Sequence, residues 1–347
     1  MPRTFKVAAG QIGCEPVNVS RAEIVGRMIK LLQDAASQGA KVILFPETAF
    51  THTFFPRHLF TDQKELDSYF ELEEDVTQAP NTKPLFDEAK KLGVDVNVGY
   101  AERTKEGKGF NTCVYYSASL GKIINKYRKI HLPGTSEPFE DKDAINQLEK
   151  RYFTPGDLGF KAFRAPGVIS DVLKKGTSEE KTDGKGDPIF GSLICNDRRW
   201  PEGWRVYGLQ GIELVMCGYN TAGWAPDLWG TRKPMTREEA DEDAVFHHKL
   251  AMQAGSYANS CFSVSAARAG MDEGKYDLIG GSCITDPEGH ILAEAKTKGD
   301  ELIIAEIDLE DCRQGKEKTF DFSRHRRIET YSLISSQTEV IEPELLE

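Results

Sequence analysis

Three short segments of the 347-residue chain carry side chains with reactive potential. Phe45-Pro46-Glu47 places a carboxylate at the end of an apolar run, a position for a general base or acid. Tyr127-Arg128-Lys129-Ile130-His131-Leu132-Pro133 offers an ammonium able to stabilise a developing oxyanion. In Leu193-Ile194-Cys195-Asn196-Asp197-Arg198-Arg199-Trp200-Pro201-Glu202 an apolar run delivers Cys195 into a polar turn, and Pro201 stands where a helix can begin. A thiol at such an elbow, with Arg198 and Arg199 following, is expected to have its thiolate favoured and to act as a nucleophile. Taken singly, these are a strand-end carboxylate, a solvated basic strand end and a core cysteine. Their joint order, Glu then Lys then Cys with apolar runs leading into the first and third, is far more specific.

The elements that must position them follow from hydrophobic periodicity. Residues 5–9 form a short apolar run. A helical pattern from Arg21 puts Ile24, Val25, Met28, Leu31, Leu32, Ala35 and Ala36 on one side and stops at Gly39. Residues 42–45 read as a buried strand halted by Pro46, so the chain opens strand, helix, strand. A helix over 84–92 precedes a strand over 94–100, and runs 110–117 and 122–126 flank Ser119-Leu120-Gly121 as a hairpin. Later strands are expected at 190–195, 213–217, 261–267, 281–285 and 301–307, with helices at 201–210 and 244–259. The order predicts an α/β protein with a mixed sheet, or two sheets packed face to face between helices.

Composition narrows the function classes. With 44 Lys+Arg against 55 Asp+Glu the net charge is −11, which argues against nucleic acid. No stretch approaches a membrane span and the start lacks a secretory apolar stretch, so a cytoplasmic protein is expected. Seven cysteines (14, 113, 195, 217, 261, 283, 312) without a C-x-x-C pair form neither a disulfide framework nor a zinc ribbon. No H-E-x-x-H, G-x-S-x-G or G-x-x-x-x-G-K-[ST] motif occurs, His247-His248 reads as ordinary helix, and neither metal nor cofactor is expected. The polar run at about 170–187 reads as a surface insertion, and 337–347 as an acidic tail after a single domain over 1–336.

The three reactive segments together resemble the signatures of the nitrilase superfamily, carbon–nitrogen hydrolases with a Glu-Lys-Cys triad on a four-layer αββα sandwich. Within it the chain is similar to N-carbamoyl-D-amino acid amidohydrolases through Phe54-Phe55-Pro56-Arg57, Lys126 to Gly134, Leu148-Glu149-Lys150-Arg151-Tyr152-Phe153, Gly218-Tyr219-Asn220-Thr221 and Met252-Gln253-Ala254-Gly255-Ser256-Tyr257. The resemblance implies that Cys195 attacks a carbamoyl carbon, Glu47 moves protons and Lys129 holds the oxyanion, aided by the backbone N–H of Asn196. It implies supporting roles for Glu149 and His131, and a substrate-carboxylate clamp from Arg198 and Arg199 with Asn196, Asn220 and Thr221, a task suited to guanidinium forks. The partner is then a small molecule bearing a carboxylate, and the assembly a homodimer or homotetramer.

The chemistry suits the residues. A ureido carbonyl is a poor electrophile that needs a strong nucleophile, oxyanion stabilisation and a proton for departing ammonia. One departure stands out: where the family has a histidine two residues before the second glutamate, this chain has Gln147. Alternatives are another amidase, a β-ureidopropionase-like enzyme or a nitrilase with the same triad, and a catalytically silent binding protein on the same fold. Trp224 and Trp229 either line the pocket or pack its loop.

Overall fold

The computed structural model describes residues 3–14, 19–72, 75–169, 186–230 and 234–346. The insertion expected at about 170–187 lies outside them except for Gly186 and Asp187. In chain order the strands are β1 (Thr4–Gly13), β2 (Ala40–Leu44), β3 (Phe70–Leu72), β4 (Asp95–Arg103), β5 (Gly109–Ser117), β6 (Lys122–Arg128), β7 (Phe163–Arg164), β8 (Ile189–Ile194), β9 (Leu214–Tyr219), β10 (Phe262–Asp272), β11 (Tyr276–Ile279), β12 (Cys283–Thr285), β13 (Ile291–Glu294) and β14 (Glu301–Asp308). The helices that matter below are α1 (Arg21–Ser37), α2 (Gln63–Asp67), α3 (Lys83–Leu92), α4 (Glu149–Tyr152), α5 (Pro201–Gly208), α6 (Pro226–Trp229) and α7 (Arg237–Asn259).

Two sheets result. One runs β6-β5-β4-β2-β1-β14, with β3 beside β4, and the other β7-β8-β9-β10-β12-β13. They join where the ends of β1 and β10 pair in parallel, Ile12 opposite Arg268, while β11 turns back on β10. Between the sheets, Val7, Val42, Leu44 and Tyr115 pack against Phe190, Met216, Val264 and Ile284. The outer face of the first sheet is covered by α1 and α3 through Ile24, Met28, Leu32, Leu85 and Phe86. The second is covered by α5 and α7 through Trp204, Tyr207 and Met252. This is the four-layer αββα sandwich expected.

Local chemistry explains the boundaries. Ser20 and Glu23 form a reciprocal cap that starts α1, and Gly93, in the left-handed region at φ 67°, ends α3. Helix α7 begins at Arg237 and not at Ala244, because Thr236 and Glu239 cap it. Its first two turns are acidic and largely solvent-facing, so apolar periodicity does not reveal them. Strands β3, β7, β11 and β13 are two to four residues long and exist only through pairing to a longer neighbour, a signal no local window carries. Among the described residues no helix is long and apolar enough to cross a membrane.

Candidate active site

Glu47 stands just beyond β2, where Phe45 N–H and Ala49 N–H still donate to Asn97 and Gly99 of β4. The segment is squeezed between the two sheets. A Cβ on Gly99 would sit 2.8 Å from Glu47 Cα, and one on Gly218 of β9 2.8 Å from Glu47 N. No other residue fits either position without moving the backbone that presents the carboxylate. Thr48, at φ 45°, completes the turn.

Lys129 extends β6, its N–H donating to Asn111 O of β5 at 2.8 Å. Its ammonium sits between two carboxylates, 2.7 Å from Glu47 Oε1 and 2.6 Å from Glu149 Oε2, with all three side chains fully buried. Glu149 opens α4 and also accepts from Gln147 Nε2 at 2.5 Å, so Gln147 steadies the second carboxylate. Burial works against the Lys129 cation, but Cys195 when it is a thiolate, together with the carboxylates of Glu149 and Glu47, more than offsets it and holds the proton well above the ordinary lysine range. Burial, reinforced by Glu47 and opposed by Lys129, pushes Glu149 up to about 7.

Cys195 follows β8 at φ 49°, a left-handed conformation that a non-glycine residue adopts only under constraint from its surroundings. The constraint is visible. Arg198 Nη1 donates to Cys195 O at 2.6 Å, and Asp197, wholly buried, accepts from Ile194 N–H at 3.2 Å and from Tyr127 Oη at 2.8 Å. The other Asp197 oxygen takes His131 N–H at 2.9 Å and lies 2.8 Å from His131 Nδ1. One carboxylate therefore ties the cysteine elbow to the strand end that carries Lys129. His131 stacks on Trp200 and serves this tie, without contact to Glu47 or Glu149.

The thiol does not follow the sequence expectation. Burial, with Glu47 adding to it, raises Cys195 above the ordinary thiol range despite the lowering effect of Lys129 and Arg198. A sequence shows the cations but not the depth of the site. The resting group is a thiol that needs a base, and one is near: Cys195 Sγ lies 3.5 Å from Asn220 O, while Asn220 N–H donates to Glu47 Oε2 at 3.0 Å. Asn220 Nδ2 donates to Glu47 O at 2.9 Å and to Thr48 Oγ1 at 3.5 Å, so the donors of this residue, expected on substrate, are spent on Glu47 and its neighbour.

The two arginines separate. Arg199 is exposed to a narrow pocket walled by Cys195, Asn196, Thr221, Ala225 and Trp229, with its guanidinium 4.8 Å from the Trp229 ring. Arg198 is buried behind that wall, its Nη2 donating to Thr221 Oγ1 at 3.2 Å and its plane over Tyr219. Neither has a carboxylate partner among the described residues. Asn196 lines the pocket while its Nδ2 donates to His131 O at 3.2 Å. Trp229 lines the pocket and Trp224 packs its loop against Ile145 and Ala222.

Sequence reasoning passed over Asn111, whose Nδ2 is 2.7 Å from Glu47 Oε1 and 3.5 Å from Glu149 Oε2, and it passed over Asp197. An amide at the second position of the run 110–117 was the available signal for the first. Among the described residues no group of three or more His, Cys, Asp or Glu could hold a metal ion. His248 is buried on Tyr219, and His247 pairs with exposed Asp243.

The carbon-nitrogen hydrolase family matches residues 6–317. Citrullinase of Francisella tularensis is 29% identical over 335 residues, covering 95% of this chain and 98% of its own. N-carbamoylputrescine amidase of Arabidopsis thaliana is 28% identical over 347 residues, with 96% and 95% covered. A solved carbon-nitrogen hydrolase of Helicobacter pylori superposes with a TM-score of 0.74 at 20% identity over 96% of this chain and 99% of that one, a likeness of fold.

Proposed function

The chain belongs to the carbon-nitrogen hydrolase family, and from that premise we propose that it hydrolyses the carbamoyl C–N bond of N-carbamoyl amino acids, of the D series, through Glu47, Lys129 and Cys195. The observation that carries the substrate class is electrostatic. Arg199 on the pocket wall and Arg198 behind it have no acidic partner among the described residues, whereas the cation on the other side of the nucleophile, Lys129, is flanked by two carboxylates. A substrate carboxylate supplies the missing charge. Because Thr221 Oγ1 accepts from Arg198, its own hydrogen is free to donate to that carboxylate. A relative named for N-carbamoylputrescine supports the carbamoyl group; the D preference draws on the sequence segments alone.

The steps follow from the contacts. Glu47 Oε2 takes the thiol proton as Sγ attacks the ureido carbon, and the oxyanion is stabilised by the Lys129 ammonium and the Asn196 N–H. Collapse of the tetrahedral intermediate breaks the bond to the terminal nitrogen, which leaves as ammonia with the proton from Glu47, and a carbamoyl thioester remains. Glu47 then deprotonates water, which displaces the thiol and yields the N-carboxy amino acid; this loses carbon dioxide to give the amino acid. Lys129 keeps its proton throughout, consistent with its raised affinity for it.

The test is ammonia release from matched D and L N-carbamoyl amino acids, a simple amide and a nitrile, with Cys195→Ala as control. Release from the D compound, abolished in the control, is expected. Release from the amide or nitrile alone would overturn the substrate class, and silence on all four would favour a binding protein.

A further inference from the structure

The two oxygens of Glu47 are not equivalent. Oε1 accepts from Lys129 Nζ at 2.7 Å and from Asn111 Nδ2 at 2.7 Å, which occupies both its lone pairs. Among the described residues Oε2 accepts only from Asn220 N–H, at 3.0 Å, and keeps one lone pair, while the carbonyl of the same Asn220 lies 3.5 Å from Cys195 Sγ. Lys129 is shared with Glu149, so it alone cannot hold Glu47 in one orientation. Asn111 is the neutral donor that does, anchored through its own carbonyl to Lys129 N–H on the adjoining strand and fully buried.

We infer that Asn111 is a positioning residue that directs the shuttled proton to Glu47 Oε2 by saturating Oε1, and that it also keeps the two carboxylates around Lys129 from competing for one cation. The inference rests on the proposed role of Glu47. A proton on Oε1 would face Lys129 and Asn111, where neither thiol nor leaving group can use it. Without the Asn111 donor, the carboxylate loses stabilisation relative to its acid and can rotate toward Lys129. The charged and titratable groups around this carboxylate and the thiol are Lys129 from the β6 strand end, Glu149 from α4, and Cys195 and Arg198 from the elbow, and all four remain in an Asn111 variant.

The experiment compares Asn111→Ala and Asn111→Asp with the wild type, using kcat, KM and the pH profile of kcat for N-carbamoyl-D-alanine, together with the pH dependence of Cys195 alkylation by iodoacetamide, which needs no substrate. The expected result is a fall in kcat of about 30-fold for alanine and more for aspartate, since a donor to a charged group is lost and then replaced by a like charge. KM should stay within about threefold, the acid limb should move to higher pH in both variants, and the alkylation profile should move to higher pH in Asn111→Asp, whose added negative charge disfavours the thiolate. A loss of kcat with unshifted profiles, or a rise in KM instead, would reduce Asn111 to a structural residue and overturn the inference. So would wild-type kinetics in either variant. Should aspartate prevent folding, the alanine variant carries the comparison through kcat, KM and the acid limb. Glu47→Gln and Cys195→Ala separate the two claims: if either retains activity, the proposed triad fails, whereas if both are inactive and Asn111 variants behave as wild type, only the present inference fails.

Discussion

The two flanks of Cys195 are built on opposite electrostatic plans. On one, Lys129 is clamped between Glu47 and Glu149, and Asn111, Gln147 and Asn220 supply further hydrogen bonds to the carboxylates. On the other, Arg198 and Arg199 stand with hydroxyl, carbonyl and aromatic neighbours and no acid among the described residues. The first flank is complete without a ligand. The second is left open, which is the condition for a ligand's charge to matter, since a buried cation without an acidic partner gains most from acquiring one.

The contrast can be broken most severely on the closed side. Lys129→Met strips the shared cation from two buried carboxylates, and turnover is expected to fall by at least about a thousandfold, with stability dropping by roughly 3–5 kcal/mol in denaturant melts. Unchanged stability would mean the carboxylates are not held as a pair. Breaking the open side should act on binding alone. Arg199→Gln is expected to raise KM for a carboxylated substrate by about 10- to 100-fold, with kcat and melting temperature near wild type; a fall in kcat without a KM change would place Arg199 elsewhere in the mechanism.

A subtler separation concerns the thiol. Arg198 and Lys129 lower the Cys195 pKa against burial and Glu47, so Arg198→Met should carry iodoacetamide alkylation to higher pH, and a shift downward would contradict the charge assignment. The smallest effect lies away from both flanks. Burial pushes Asp95 up to about 6, although it accepts from Tyr115 Oη and Ala118 N–H. Its folded pKa exceeds the unfolded one, so the stability it contributes is greatest below pH 4 and is lost as pH rises toward 6. Asp95→Asn should flatten the pH dependence of the melting temperature in that window by about 2–4 °C.

Much of this was legible in sequence because strand ends carry it. Glu47 and Cys195 each follow an apolar run, Lys129 closes a basic strand end, and Glu149 lies in a recognisable segment, so type and position agreed before any geometry was known. The supporting residues were not legible, for physical reasons. Asn111 meets Glu47 across 64 residues of chain, Asp197 meets Tyr127 across 70, and Gly99 and Gly218 matter only because two sheets close on one backbone. The expected thiolate failed because adjacent arginines are visible in a sequence while burial is not. The expected arginine clamp divided for the same reason: consecutive residues on a tight turn point to different depths.

The most direct measurement is kcat/KM for N-carbamoyl-D-alanine against N-carbamoylethylamine, which lacks only the carboxylate, in the wild type and in Arg199→Gln. The expected result is a preference of about a hundredfold for the carboxylated compound in the wild type that collapses in the variant. Equal rates in the wild type, or a preference that survives the substitution, would contradict an open cationic flank completed by substrate.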